Sequence, residues 1–542
     1  MKKYIFTTVI LMFAATMAAQ PEAVFNRIVR QYTLNDDGSA SFHYRKELTL
    51  NDHIAFNSMY GETFIVYNPD YQEITVNESY TVQADGTKIE TPANAITESL
   101  PPFASDAPAY NHLRELIVAH TGLEVGATIY LDYTVKTKAG FQQIWSITET
   151  LQERMPVKIS EIDIVVPQGS SLNFALTGIK ATPEIKANRY SWRLKNIPAT
   201  PLESFVPQGL TPRIYASTGE AGKGVQALVE AVSSFPIAGL KKFEGEDVAT
   251  QIQKFVVSEI AYSSVPQAVA SKVRPPSEVI SSAYGTLFEK TALMIALMKA
   301  NGISGKVVCA YPAGADNAIA PASPTDILIK VDDKYLSAVR IDSKEITSIA
   351  KDNRLWEAGF NERSPYQVKP LTDLPTKPTP EQVNYRVFVA LTDSLATIEG
   401  KTSYGASLEE DIKDSRQIKP QNGYLLYSLP ANDRGVDSWH LPTLYSRRTQ
   451  PFELPTSINE VDEYEIALAA NLQLRTKPFN KTLRNSIGEV RLTLKLDGQK
   501  VGIHREIALK KTIVSPSEYT ALRELILLWQ NTAYRAIAVK EL

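Results

Sequence analysis

Nucleophilic and acid–base chemistry in this chain can draw on one thiol, Cys309, and six imidazoles, His43, His53, His112, His120, His440 and His504. A thiol becomes a nucleophile where a helix terminus or a neighbouring imidazolium lowers its pKa. Cys309 stands instead in Lys306-Val307-Val308-Cys309-Ala310, a strand-like run in which a small buried thiol is core filling. No histidine lies between residues 121 and 439, so the middle of the chain lacks an imidazole base. One cysteine excludes both an intramolecular disulfide and a cysteine-built zinc site. His112 and His120 do not have a recognised ligand spacing, and neither a metal nor a cofactor is expected.

Carboxylates are the remaining candidates. Glu409-Glu410-Asp411 and Asp462-Glu463 offer the residue types of a glycosidase acid and nucleophile, but that chemistry needs a fixed carboxyl separation, and both read as solvated charge. Asp36-Asp37-Gly38 lacks the further acidic positions of a calcium loop and reads, like Asp85-Gly86, as a hairpin turn.

The elements that would position such groups follow from periodicity. From Val24 to about Tyr215 apolar and polar residues alternate, as in Ile129 to Val135 and Ile159 to Val166, which predicts an antiparallel β-sandwich. Near residue 217 the period changes. Val225, Leu228, Val229 and Val232 share one helical face, as do Val248, Ile252, Phe255 and Val256. A third helix is expected over Leu287 to Ala300, stopped by Asn301-Gly302, with strands at Lys306 to Tyr311, Ile327 to Val331 and Tyr335-Leu336. Pro365, Pro370, Pro375, Pro378 and Pro380 predict a semi-rigid linker with a boundary near Lys369. Val387 to Leu391, Tyr464 to Leu468 and Val490 to Leu496 alternate again as strands. Ser515-Pro516-Ser517-Glu518 predicts the capped start of a closing helix whose Tyr519, Leu522, Ile526 and Trp529 dock on the last sheet.

The segment Tyr284-Gly285-Thr286-Leu287-Phe288-Glu289-Lys290-Thr291-Ala292-Leu293 resembles the transglutaminase-like superfamily, whose pattern Y-G-D-C-K-D-K-A-x-L sets a nucleophilic cysteine at a helix start; Tyr284, Gly285, Lys290 and Leu293 match. Downstream, Asp326 to Ala338 is similar to the pattern H-V-x-V-x-V-x-G-K-W-x-x-D-P that carries the family's histidine and aspartate. By this resemblance Leu287 takes the nucleophile's place, Asp326 the histidine's and Ser337 the orienting aspartate's, so the catalytic triad is degenerate and no catalytic residue is expected. The strands through Phe141 to Trp145 and Tyr190 to Pro198 resemble the β-sandwich domain of unknown function that precedes such domains in bacterial envelope proteins, and Val514 to Trp529 resembles the closing helix of that architecture.

The implied fold is multidomain α+β: a signal peptide over 1–19, an N-terminal antiparallel β-sandwich over 20–216, a central transglutaminase-like (papain-like) α/β domain over 217–368, and a C-terminal β domain with its terminal helix over 369–542. Met1-Lys2-Lys3, the apolar run Tyr4 to Met17 and Ala18-Ala19-Gln20 form the three parts of an export signal, so the chain is expected in the periplasm or at the cell surface of a Gram-negative bacterium, with no transmembrane segment after cleavage. A net charge of −3 with no dense basic tract argues against nucleic acid as a partner. The expected role is non-catalytic binding or assembly of a protein, peptide or glycan of the envelope; the competing role is an envelope hydrolase using non-cysteine residues, Ser337 among them. The 25 tyrosines could line a sugar-binding face or simply populate strands.

Overall fold

The computed structural model describes residues 21–341, 346–372, 374, 380–404, 408–441, 444 and 446–542. The expected signal peptide at 1–19, with Pro375 and Pro378 of the proline-rich stretch, lies outside the described residues.

The first hairpin forms where the sequence dictates: Ala23–Leu34 turns at Asp36-Asp37-Gly38 into Ala40–Leu50, and Gly38 supplies the φ of +81° that the turn requires. This hairpin lies inside an eight-stranded sheet. The expectation of a purely antiparallel sandwich is corrected here, because Ala23–Leu34 also pairs in parallel with Val157–Val165. A parallel neighbour needs a long crossover. The intervening chain provides it by building other strands on the way. Two three-stranded sheets cover the inner face. Glu62–Tyr67, Arg114–Ala119 and Ile96–Ser99 form one; Ser146–Thr150, Arg213–Ser217 and Asn173–Thr177 form the other. The second layer of the sandwich is therefore split. Phe141 to Trp145, expected among the strands, is a bend instead: Gly140 leaves the extended region at φ +83° and the strand starts only at Ser146.

In the centre, helices Ala221–Ser233, Val248–Glu259 and Leu287–Ala300 pack on one face of a five-stranded sheet. Leu287–Ala300 has no polar face, and every residue except Leu287 and Lys299 is buried, Glu289 and Lys290 included. The strands follow the helices in sequence, as expected, and pair antiparallel, so the central domain expected as α/β is an α+β arrangement. Lys369–Pro370 is the fifth strand of this sheet and Tyr366 is buried in its core. Pro365 and Pro370 are thus tied to the central body.

The C-terminal sheet of seven strands repeats the pairing of the first. Glu381–Leu391 is antiparallel to Leu395–Tyr404 and parallel to Ile458–Leu468. Helix Tyr519–Trp529 buries Tyr519, Leu522, Leu525, Ile526 and Trp529 in a core shared with Val490, Leu492 and Ile507. Its start departs from expectation. Ser515-Pro516-Ser517-Glu518 is a turn in which the Ser515 hydroxyl donates to Glu518 at 2.9 Å, and the α-helix begins at Tyr519. Among the described residues no helix is long and apolar enough to cross a membrane.

Candidate functional site

Thr286 caps the buried central helix. Its hydroxyl accepts from the Glu289 N–H at 3.4 Å, and the Glu289 carboxylate accepts from the Thr286 N–H at 2.9 Å. Thr-x-x-Glu is a legible capping signal that went unread beside the family motif. Glu289 is 0% exposed and does more than cap. It receives Arg274 Nε at 2.8 Å and Nη2 at 3.0 Å, and the Tyr110 hydroxyl at 2.5 Å. The Arg274 guanidinium lies 4.5 Å from the Tyr284 ring centroid, and Ala109 donates its N–H to the Tyr284 hydroxyl at 2.8 Å. The positive end of this helix, which would lower the pKa of a thiol placed on it, here faces an ion pair that anchors the N-terminal body. Lys290 is buried, donates to the carbonyl of Ile260, and is pulled down to about 8 by burial.

The three motif positions occupy different surroundings. Leu287, the first residue of the helix, is partly buried and packs on the central core. Asp326 opens its strand and pairs with Arg340 at 2.6 Å. Ser337 lies opposite Leu328, two residues further along the strand than Asp326. It is 0% exposed, and its hydroxyl accepts from the Val339 N–H at 3.2 Å. Of the three, Asp326 alone lines the principal cleft, a cavity of about 720 Å³ between the N-terminal, central and C-terminal bodies. Asp326 is neutralised by Arg340, and Glu453 on the opposite wall by Lys351 at 3.1 Å. Arg213, on the N-terminal wall, has no ion-pair partner among the described residues, and its Nε is buried without an acceptor.

Cys309 lies in the middle strand of the central sheet, 0% exposed, and burial pushes its thiol far above the usual range. It should resist a thiol-specific disulfide reagent in the native chain and react stoichiometrically in denaturant. Rapid native labelling would overturn the buried assignment. Two of the histidines are committed locally. His43 joins Asp132 at 2.7 Å and Gln31 at 3.0 Å, while His120 is buried beside Thr63 at 3.0 Å and held down to about 3 by burial and by Lys46. Among the described residues no group of three or more His, Cys, Asp or Glu side chains is arranged to hold a metal.

One acidic reading is corrected. Glu409-Glu410-Asp411 is on a surface strand, but Asp462 is 1% exposed and points inward beside Glu460, which is 0% exposed. Asp462 meets Arg505 at 3.5 Å and accepts from Asn432 at 3.4 Å. Glu460 accepts the Val436 N–H at 2.7 Å. Strict alternation along Ile458–Leu468 put Glu460 and Asp462 on the apolar parity, a signal that the adjacency of Asp462 to Glu463 obscured.

Residues 36–201 match DUF3857 and residues 424–539 match DUF3858, each described as a domain of unknown function with a solved structure. Over 96% of its length the chain is also similar, at 32% identity and a TM-score of 0.79, to 99% of a solved protein of Parabacteroides distasonis described as a "putative protease". The chain belongs to that protein's family. No curated protein matches it. The two DUF segments fall in the N-terminal and C-terminal sheets, and in this chain the central helices and Asp326 lie between them.

Proposed function

We propose that this chain is an exported, non-catalytic binding protein with a transglutaminase-like central domain, holding a protein, peptide or glycan of the bacterial envelope in the cleft between its three bodies. The observation that carries the reading is a cavity bordered by Asp326 in a chain with Leu287 at the nucleophile's position. Leu287 cannot attack, ionise or carry an acyl group, yet Asp326 still borders a cleft within the size range of small-molecule and peptide sites, about 300–1,000 Å³. Arg213 supports binding there, because its unpartnered buried Nε is a donor that a bound acceptor would satisfy. The export pattern over residues 1–19 supports the periplasm or cell surface as its site of action.

The description of the Parabacteroides protein favours a second reading, hydrolysis through residues other than a cysteine. Ser337 gives it little support, since its hydroxyl is buried and has no imidazole nearby in sequence. The two readings separate in one experiment. The chain, immobilised, is exposed to envelope extract alongside Asp326→Ala and Arg213→Gln, and incubated separately with labelled casein and peptidoglycan. Capture of a component that both variants lose, with no cleavage of either substrate, is the expected result. A captured component indifferent to both substitutions overturns the cleft, and cleavage overturns the non-catalytic reading.

A further inference from the structure

The inner face of the N-terminal sheet is covered by two smaller sheets and should be apolar. It is not. Cross-strand register sets Tyr32 opposite Phe42, Arg30 opposite Tyr44, and Tyr44 opposite Tyr133. The covering sheets explain how these residues are tolerated, because they do not meet over Ala40–Leu50. Between them runs a groove of about 410 Å³ walled by Tyr32, Phe42, Tyr44, Tyr133, Trp145 and Glu149. The rings brace one another, Tyr32 stacking on Phe42 at 4.7 Å between centroids and Tyr44 tilted against Tyr133 at 5.2 Å. Phe64, also on the groove wall, is 48% exposed.

Polar groups stand beside these rings. Arg30, 2% exposed, reaches Glu149 at 3.3 Å and Glu153 at 2.9 Å, but its Nη1 has no acceptor. The Tyr32 hydroxyl is buried beside Glu149. Buried donors without partners are rare in cores. Charge chooses among ligands. Lys138 and Glu149 are the charged residues of the lining, and Arg30 pairs with Glu153 beside them, leaving no net field for a charged group. The walls combine apolar ring faces with the Glu149 carboxylate and the Tyr32 hydroxyl, which suits a molecule that is apolar on its faces and hydroxylated on its edge.

We propose that this groove is a binding site for a neutral saccharide, its ring seated on Phe42, Tyr44 and Phe64 and its hydroxyls bonded to Glu149 and Tyr32. The site is independent of the junction cleft and does not rest on the function proposed for it.

The test titrates the intact chain with cellotriose, maltotriose and chitotriose, read by calorimetry and by tryptophan emission, with adenosine and an oligogalacturonate as comparison probes. At least one neutral trisaccharide should bind and shift the emission. Trp145→Phe should reduce that shift while calorimetry still records binding. Phe64→Ala, at an exposed position, should weaken affinity at least about tenfold at an unchanged melting temperature, and Tyr44→Ala should weaken it as well. Absence of heat with all three sugars, affinity surviving both ring deletions, or preference for adenosine or the charged oligosaccharide would each overturn the assignment.

Discussion

Glu289→Ala should lower the unfolding midpoint by roughly 10 °C, the largest effect expected of any single substitution in the central body. The carboxylate has no solvent to fall back on, and it holds Arg274, Tyr110 and the first turn of the buried helix together. Removing it leaves the Arg274 guanidinium, 13% exposed, beside an empty space, and breaking a buried pair by deleting one partner costs about 3–5 kcal/mol. It also leaves the Thr286 N–H without its reciprocal bond, for about another 1 kcal/mol. Tyr110→Phe removes a single hydrogen bond to the same carboxylate and should cost about 1–2 kcal/mol. Scanning calorimetry on the two variants separates these contributions. If Glu289→Ala melts within a degree or two of the parent, the contact between residues 101–113 and the central helix carries no stability.

The second large effect concerns Glu460, and it runs in the opposite direction. Burial pushes Asp462 up to about 6, and burial together with the Asp462 charge raises Glu460 well above its ordinary value. The folded chain therefore holds protons that the unfolded chain releases above about pH 4. A carboxyl whose folded pKa is raised contributes stability that is fully present below the unfolded pKa and is lost as pH rises through the folded one. The C-terminal body should accordingly lose stability between about pH 4 and the region above 6. Glu460→Gln keeps an acceptor for the Val436 N–H and removes the titration. It should raise the midpoint by several degrees at pH 8, equivalent to about 1–3 kcal/mol, and bring no gain near pH 4. Thermal melts of parent and variant across that range should converge toward acid. Parallel curves, equally spaced at every pH, would mean that Glu460 is not the group that titrates. Gly435 sets a limit on this site: a Cβ there would stand 2.3 Å from the Glu460 carboxylate, so the Gln side chain has room only while Gly435 is kept.

Much of the fold is legible in local chemistry. Turn residues such as Gly38 and Gly302, the sustained alternation of the strands and the helical faces at Val225 and Ile252 depend on neighbours a few positions away, so they place elements closely. Leu287–Ala300 begins and ends where the pattern puts it. The candidate site is less legible. Sequence establishes that Leu287 cannot be a nucleophile and that no imidazole lies between residues 121 and 439, because those are statements of composition. It does not place Asp326 in a cleft, since the walls come from segments as distant as Arg213 and Glu453.

The tertiary structure alone decided three things: the parallel pairing of Ala23–Leu34 with Val157–Val165, the burial of Glu460 and Asp462, and the gathering of Tyr32, Tyr44 and Tyr133 beside Arg30 in one groove. Alternation says which face of a strand a residue is on, but whether that face meets water, a core or an open groove is set by which remote sheet comes to cover it. For the tyrosines, the deciding feature is a gap between two covering sheets, both built from segments that follow Tyr32 and Tyr44 in the chain, and no local pattern encodes a gap.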